Sequence, residues 1–173
     1  MGLTLDYSEK DLVQIDARLY IKKALESYSK EFKKPAKTPV ADDIFNVREG
    51  ATPLAEDKRK RFHSIFALLL WIGTMARPDI LVPLIFVGKR TTKANEDDPK
   101  KLETLLSYIS GTTELLLTLR ANAMKVIKWW TDSSLAVHPV IKSHPGLMGT
   151  LGRRAIFAKS VTQKLKATSS IEE

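Results

Sequence analysis

Apolar and polar positions alternate at the start of the chain. Residues 3–7 (LTLDY) and 12–15 (LVQI) alternate or are rich in strand formers, with SEKD between them, and this predicts a hairpin. Asp16 reads as the N-cap of a helix over about 17–32, with Leu19, Ile21, Leu25 and Tyr28 at roughly helical spacing. The segment KKPAKTPVADD breaks that helix. Residues 34–51 read as an extended connection anchored by Ile44, Phe45 and Val47. Thr52-Pro53 is a helix-start signal, because Thr caps and Pro at the first position forgoes no hydrogen bond. The helix it predicts, over 53–76, begins with EDKRKR and ends with FALLLWIG. That gradient predicts one exposed end and one end packed on all sides. Asp79 reads as the cap of a second helix over about 80–92. Asp98-Pro99 opens a third over 99–110, with Leu102, Leu105, Leu106 and Ile109 on one face and Gly111 as a C′ glycine. Connections this short predict an antiparallel bundle.

The period then changes from helical to strand-like. Residues 114–119 (ELLLTL), 125–131 (KVIKWWT), 146–151 (GLMGTL) and 155–160 (AIFAKS) read as strands, with Gly152 in the last turn. Ser169-Ser170-Ile171-Glu172 matches a capping box, the sign of a helix start. A cap without a helix body predicts that the sequence stops inside an α/β domain. The fold class expected is α+β in three segments: 1–51 (hairpin, helix and connection), 52–112 (helices) and 113–173 (strands).

Composition narrows the chemistry. The 173 residues include no cysteine, which excludes a disulfide scaffold, thiolate metal sites and a cysteine nucleophile. The longest apolar run, 65–72, falls well short of the roughly 20 residues that cross a bilayer. The start, MGLTLDYSEK, lacks a signal-peptide core. An intracellular location, cytoplasmic or nuclear, with no membrane partner is therefore expected. The formal charge is +8, and it is uneven. Between Asp132 and Glu172 lie Lys142, Arg153, Arg154, Lys159, Lys164 and Lys166 and no acidic residue, a distribution suited to a polyanion or to a solvated surface.

Few residues stand in catalytic patterns. His63 falls on the long helix beside core positions and reads as a packed or surface histidine. His138 and His144 share a loop without the third ligand that zinc requires. No serine sits in a GxSxG context, and no glycine-rich phosphate loop occurs. Asp132 follows the apolar strand VIKWWT and precedes two serines. It is either a turn former or a metal-binding carboxylate, and the second reading needs another carboxylate nearby, for which Glu172 is the candidate.

Five blocks in order resemble one family. MGLTLDYSE resembles the strand that closes a polymerase palm. FHSIFALLLWIGTMARPDI resembles a block ending in RPDI, with Trp71 at its aromatic position. DDPKKLETLLSYISGT resembles the following helix, which commonly ends in YLKGT. IKWWTDSSLAVH with KSHPG, and KATSSIEE, resemble the opening of a ribonuclease H domain. The chain thus resembles the Pol polyprotein of copia-type retrotransposons, from the end of the reverse transcriptase into the ribonuclease H.

The resemblance implies a thumb-like helical region at 53–110 and the first ribonuclease H strands at 125–160. It implies that Asp132 and Glu172 match the first two catalytic, metal-binding carboxylates of a set that cuts RNA in an RNA–DNA hybrid with Mg²⁺. Nucleic acid, met by the six basic residues named above, is the implied partner. The family's paired polymerase aspartates (Y-V-D-D) and the later ribonuclease H carboxylates have no counterpart in these 173 residues. Family positions usually occupied by Thr, Gly and Lys hold Pro145, Arg154 and Thr162, and Ile171 and Glu173 replace the Thr and Ala of the last element. The expectation is therefore a truncated polyprotein fragment, catalytically incomplete by itself. A non-catalytic nucleic-acid-binding module and an unrelated basic helical interaction protein are the alternatives.

Overall fold

The computed structural model describes residues 2–28, 32, 34–40, 44–120, 126–133, 145–151 and 154–161. The order of elements is β1 (Thr4–Asp6), β2 (Leu12–Asp16), α1 (Arg18–Tyr28), α2 (Glu56–Met75), a 3-10 turn (Pro78–Ile80), α3 (Leu81–Arg90), α4 (Asp98–Gly111), β3 (Leu117–Arg120), β4 (Ile127–Asp132), β5 (Gly146–Leu151) and β6 (Arg154–Ser160). The fold is mixed α+β, with four helices and two three-stranded sheets among the described residues. The chain divides into two compact units. One comprises Met1–Thr4, Asp16–Ile44 and Arg48–Leu116, and the other comprises Leu5–Ile15, Phe45–Val47 and Leu117–Glu173.

The helical unit is a four-helix arrangement in which neighbours run antiparallel, as residue pairs reveal. Between α1 and α2, the Tyr20 and Trp71 rings lie 4.1 Å apart, while at the opposite ends Arg61 donates to the carbonyls of Ser27 and Tyr28 at 3.1 Å. Between α2 and α3, a Cβ on Gly73 would meet Ile80, Leu81 and Leu84 at 3.2–3.3 Å, and one on Gly88 would fall 2.5 Å from the Phe66 ring. The two glycines let these helices approach closely. Between α3 and α4, Arg90 pairs with Asp98 at 3.3 Å and Lys101 lies 5.1 Å from the Phe86 ring centre. α1 meets α4 through Tyr28, whose hydroxyl donates to Glu103 at 3.0 Å, and through Arg18 to Glu114 at 2.8 Å just past the end of α4.

Several local expectations change on the structure. Glu56, not Pro53, opens α2, because the preceding residues form an isolated bridge. Pro53 stands opposite Asn95, Leu54 N–H donates to Ala94 at 2.9 Å, and Glu96 N–H donates to Thr52 at 3.0 Å. The apolar end of α2 is not packed all round. Its buried face is Phe62, Ile65, Leu69, Ile72 and Gly73, while Ala67 and Met75 are exposed. In α1 the buried seam is Ala17, Ile21 and Ala24; small residues allow the close approach to α2, and Leu19 is turned to solvent. Asp79 does not cap a helix end; its carboxylate accepts from Arg77 at 2.8–3.3 Å and from Tyr108 at 3.0 Å. Asp98 lies in the first turn of α4, where it accepts the buried Asn95 N–H at 2.8 Å. Gly111 is the last helical residue and has no left-handed backbone. Its need is space, since a Cβ there would sit 2.4 Å from Pro35.

Burial and the Glu103 carboxylate push the half-buried Tyr28 hydroxyl up to about 12, burial being the larger cause. A free tyrosine titrates near 10. The fold therefore favours the neutral phenol, and its contribution is complete below pH about 10 and is lost as pH rises towards about 12. The expected result is that Tyr28→Phe flattens the fall in unfolding free energy across that window. Parallel urea titrations of the two proteins at three pH values measure it, and equal slopes refute the assignment.

In the second unit, β1 neighbours β2, and β2 pairs antiparallel with β3 in the register Leu12 opposite Arg120 to Ile15 opposite Leu117. The expected N-terminal hairpin is thus extended by a strand about a hundred residues later. Asp11, at φ 60°, turns the chain into β2 in a left-handed conformation that Asp tolerates. β4, β5 and β6 form an antiparallel meander with β5 central and a register irregularity at Gly149/Thr150. Among the described residues, no helix is long and apolar enough to cross a membrane.

Candidate nucleic-acid interface

The β4–β6 meander carries the described part of the expected site. Asp132 is the last residue of β4, opposite Gly146, which in turn faces Ser160. Gly146 leaves the floor beside Asp132 bare, since the nearest atom to a Cβ there would be the Asp132 carbonyl at 3.8 Å. Lys159 stands opposite Leu147 on β6. Both charged side chains are exposed, and both line an open recess of about 510 Å³ at the end of the sheet, with Thr131, Ser133 and Leu147 among its walls. Arg154 opens β6 opposite Leu151. Lys142, Arg153, Lys164, Lys166 and Glu172 lie outside the described residues, as do His138, His144, Gly152 and the Ser169–Glu172 capping box.

A two-metal centre requires clustered carboxylates around a pair of ions about 4 Å apart. The described walls of the recess supply one carboxylate, Asp132, together with the ammonium of Lys159 and the hydroxyls of Thr131 and Ser133. These residues alone do not fit two Mg²⁺ ions, which prefer carboxylate and phosphate oxygens. No group of three or more metal-binding side chains occurs among the described residues. The recess instead offers one lysine and two hydroxyl-bearing side chains, groups that can donate to an anionic oxygen, beside one carboxylate that would repel it.

Two tryptophans precede Thr131 on β4. Alternation places Ile127, Trp129 and Thr131 on one face of β4 and Lys128, Trp130 and Asp132 on the other. Trp129 crosses Gly149, where a Cβ would come 2.8 Å from its ring, and meets Phe157 edge-on with centroids 6.0 Å apart. Trp130 lies opposite Met148, and its indole N–H points to the Thr150 hydroxyl at 3.4 Å. Trp129 and Trp130 remain 58% and 55% exposed, so both present aromatic surface to solvent.

A second recess, of about 440 Å³, occurs in the helical unit and was not singled out from the sequence. Arg59, Lys60, His63 and Ser64 on α2 face Thr91 and Thr92 beyond α3. Glu56 pairs with Arg59, and the Arg59 guanidinium also donates to the Thr92 carbonyl at 3.2 Å. The run RKRFHS held the signal, since its basic residues and histidine recur one turn apart. The paired threonines across the recess depend on how α3 folds back. His63 is exposed here, so of the two readings the surface one holds.

No protein-family model matches the chain, and no solved structure matches it.

Proposed function

We propose that the chain is a piece of a copia-type Pol polyprotein, spanning the thumb-like end of the reverse transcriptase and the opening of ribonuclease H. In this reading its residues hold nucleic acid but do not cut it alone. The observation that carries the reading is the antiparallel meander β4–β5–β6, which places Asp132 at the end of its first strand and at the mouth of a recess. It is supported by the order of elements, an α-helical cluster followed by that meander, in the same order as the five sequence blocks. The RPDI block also has a structural role: Arg77 and Asp79 form the ion pair that ties the α2–α3 turn to α4. The region 53–110 is then the thumb-like bundle, 125–160 the first ribonuclease H strands, and Asp132 and Glu172 two members of a larger carboxylate set. Mg²⁺ would belong to the complete set only.

Two measurements test the reading. The first concerns origin: extending the reading frame in the source DNA should reveal paired aspartates upstream and an aspartate-bearing strand downstream, and an intact frame without either sinks the assignment. The second concerns activity. A labelled RNA–DNA hybrid with Mg²⁺ or Mn²⁺ should bind residues 1–173 weakly and remain uncut. For about four to six neutralised phosphates, affinity should drop roughly 10²–10³-fold between about 50 and 200 mM salt. Cleavage that disappears in Asp132→Asn would overturn the incompleteness of the site. Binding that ignores salt would point instead to base stacking on Trp129 and Trp130.

A further inference from the structure

The recess on the helical unit has a wholly polar lining among the described residues: Arg59, Lys60, His63 and Ser64 of α2, and Thr91 and Thr92 after α3. Sites for drug-like molecules are mostly apolar, so this lining suits a compact charged ligand instead. Arg59 and His63 stand one helical turn apart. They face away from α1, which packs where Arg61 meets the carbonyls of Ser27 and Tyr28. The polar groups divide into spent and unspent donors. Ser64 donates its hydroxyl to the Lys60 carbonyl at 3.0 Å, and Thr91 donates its own to the Gly88 carbonyl at 2.8 Å. Arg59 Nη1 donates to the Thr92 carbonyl at 3.2 Å, which fixes the guanidinium against the far wall. Among the described residues, the Lys60 ammonium, the His63 ring and the Thr92 hydroxyl hold no hydrogen bond. The free donors of this recess are therefore suited to an anion.

One carboxylate already competes for the cations. Glu56 accepts from Nε and Nη2 of Arg59, and it lies 3.7 Å from the Lys60 ammonium. Its side chain is 59% exposed, so both pairs are screened by water and hold it weakly. The consequence is selection by charge. A phosphodiester carries one negative charge, as Glu56 does, and gains little by displacing it. A phosphomonoester carries about −1.5 to −2 at pH 7 and presents three acceptor oxygens. It can draw Arg59 and Lys60 from Glu56 and still accept from His63 and Thr92. We propose that this recess binds the phosphate group of a phosphomonoester dianion, with Arg59 and Lys60 as cations, His63 and Thr92 as donors, and Glu56 as the counter-ion that the ligand displaces. The inference lies wholly within the helical unit and does not depend on the Pol reading, whose ligand is a phosphodiester chain. Failure of the hybrid assay therefore leaves it untouched.

The test is a titration of the full, isotope-labelled chain with three probes, read by amide chemical shifts at constant ionic strength. Inorganic phosphate and glycerol 3-phosphate are the dianions, used at about pH 7.5 where both are mainly doubly charged. Dimethyl phosphate is the monoanionic diester. The expected result is saturable shifts centred on Lys60, His63 and Thr92 with both dianions, at a Kd of about 1–10 mM, and none with the diester. Lys60→Gln should weaken binding about threefold, the scale of one exposed charge pair. Glu56→Gln removes the competitor and should tighten binding by a similar factor, a gain that loss of folding cannot produce. Absence of saturation up to about 50 mM phosphate, well above the expected Kd, overturns the proposal. So do shifts scattered over the basic surface, which mean adventitious ion binding only, equal binding of the diester, or a Glu56→Gln variant that binds no tighter than the parent chain.

Discussion

Replacing Arg77 by alanine should destabilise the helical unit by about 3 kcal/mol, the low end of the range for breaking a buried ion pair. Arg77 is 1% exposed, and each part of its guanidinium is engaged. Nε and Nη2 form a fork on Asp79 at 2.9 and 2.8 Å. Nη1 donates to the Thr112 carbonyl at 2.9 Å and Nη2 to its hydroxyl at 2.8 Å, so one side chain closes the end of α4. The guanidinium carbon also lies 5.5 Å from the Tyr108 ring centre. Truncation leaves a carboxylate, a carbonyl and a cavity together. The low end applies because the Asp79 side chain is 30% exposed and regains water. Arg77→Lys keeps the charge but not the fork, and should cost about 1–2 kcal/mol through lost hydrogen bonds. Tyr108→Phe removes one bond to Asp79 and should cost about 1 kcal/mol. Urea unfolding followed by the helical circular dichroism signal ranks the three. An Arg77→Ala cost below that of Tyr108→Phe contradicts this account of the network.

The same residues mark how far a sequence can be read. The stretch around Arg77, Pro78 and Asp79 showed a helix break, which the structure has. It did not show that the aspartate serves Arg77 and Tyr108 rather than a helix end, because Tyr108 is brought in by α4 from a distant part of the chain. Strand positions were legible for a local reason: alternation and strand propensity are properties of a few neighbouring residues. Partnership was not. β3 reads as a strand from ELLLTL, yet nothing local specifies β2 as its mate, and that pairing spans the whole helical region. Gly111 had a visible glycine signal with the wrong cause attached, since the close approach of Pro35 is a tertiary contact. For the candidate site, the place of Asp132 at a strand end was readable from VIKWWTD. Lys159 was readable only as part of a basic stretch, because lining the same recess as Asp132 depends on the β5–β6 register.

Two leucines test this distinction directly. Leu105 and Leu19 both fall on apolar stripes in the sequence, and the stripes look equally good. On the structure Leu105 is 0% exposed, flanked along α4 by the equally buried Leu102, Leu106 and Ile109. Leu19 is 68% exposed, because Ala17, Ile21 and Ala24 form the seam of α1. Leu105→Ala removes three carbon atoms from a site walled on all sides, so both the transfer term and the cavity term apply, and the expected cost is about 2–5 kcal/mol. Leu19→Ala removes the same atoms from water and gains slightly in helix propensity, so its effect should lie within about 0.5 kcal/mol of zero. Because the chemistry of the two substitutions is identical, their difference isolates burial. Urea midpoints measured side by side, at unchanged slope, give it directly. Comparable losses at the two positions would mean that α1 turns a different face to α2 and α4, with Leu19 in the core. The close contact of Tyr20 with Trp71 argues against that rotation, since it holds α1 with the 17–21–24 seam inward.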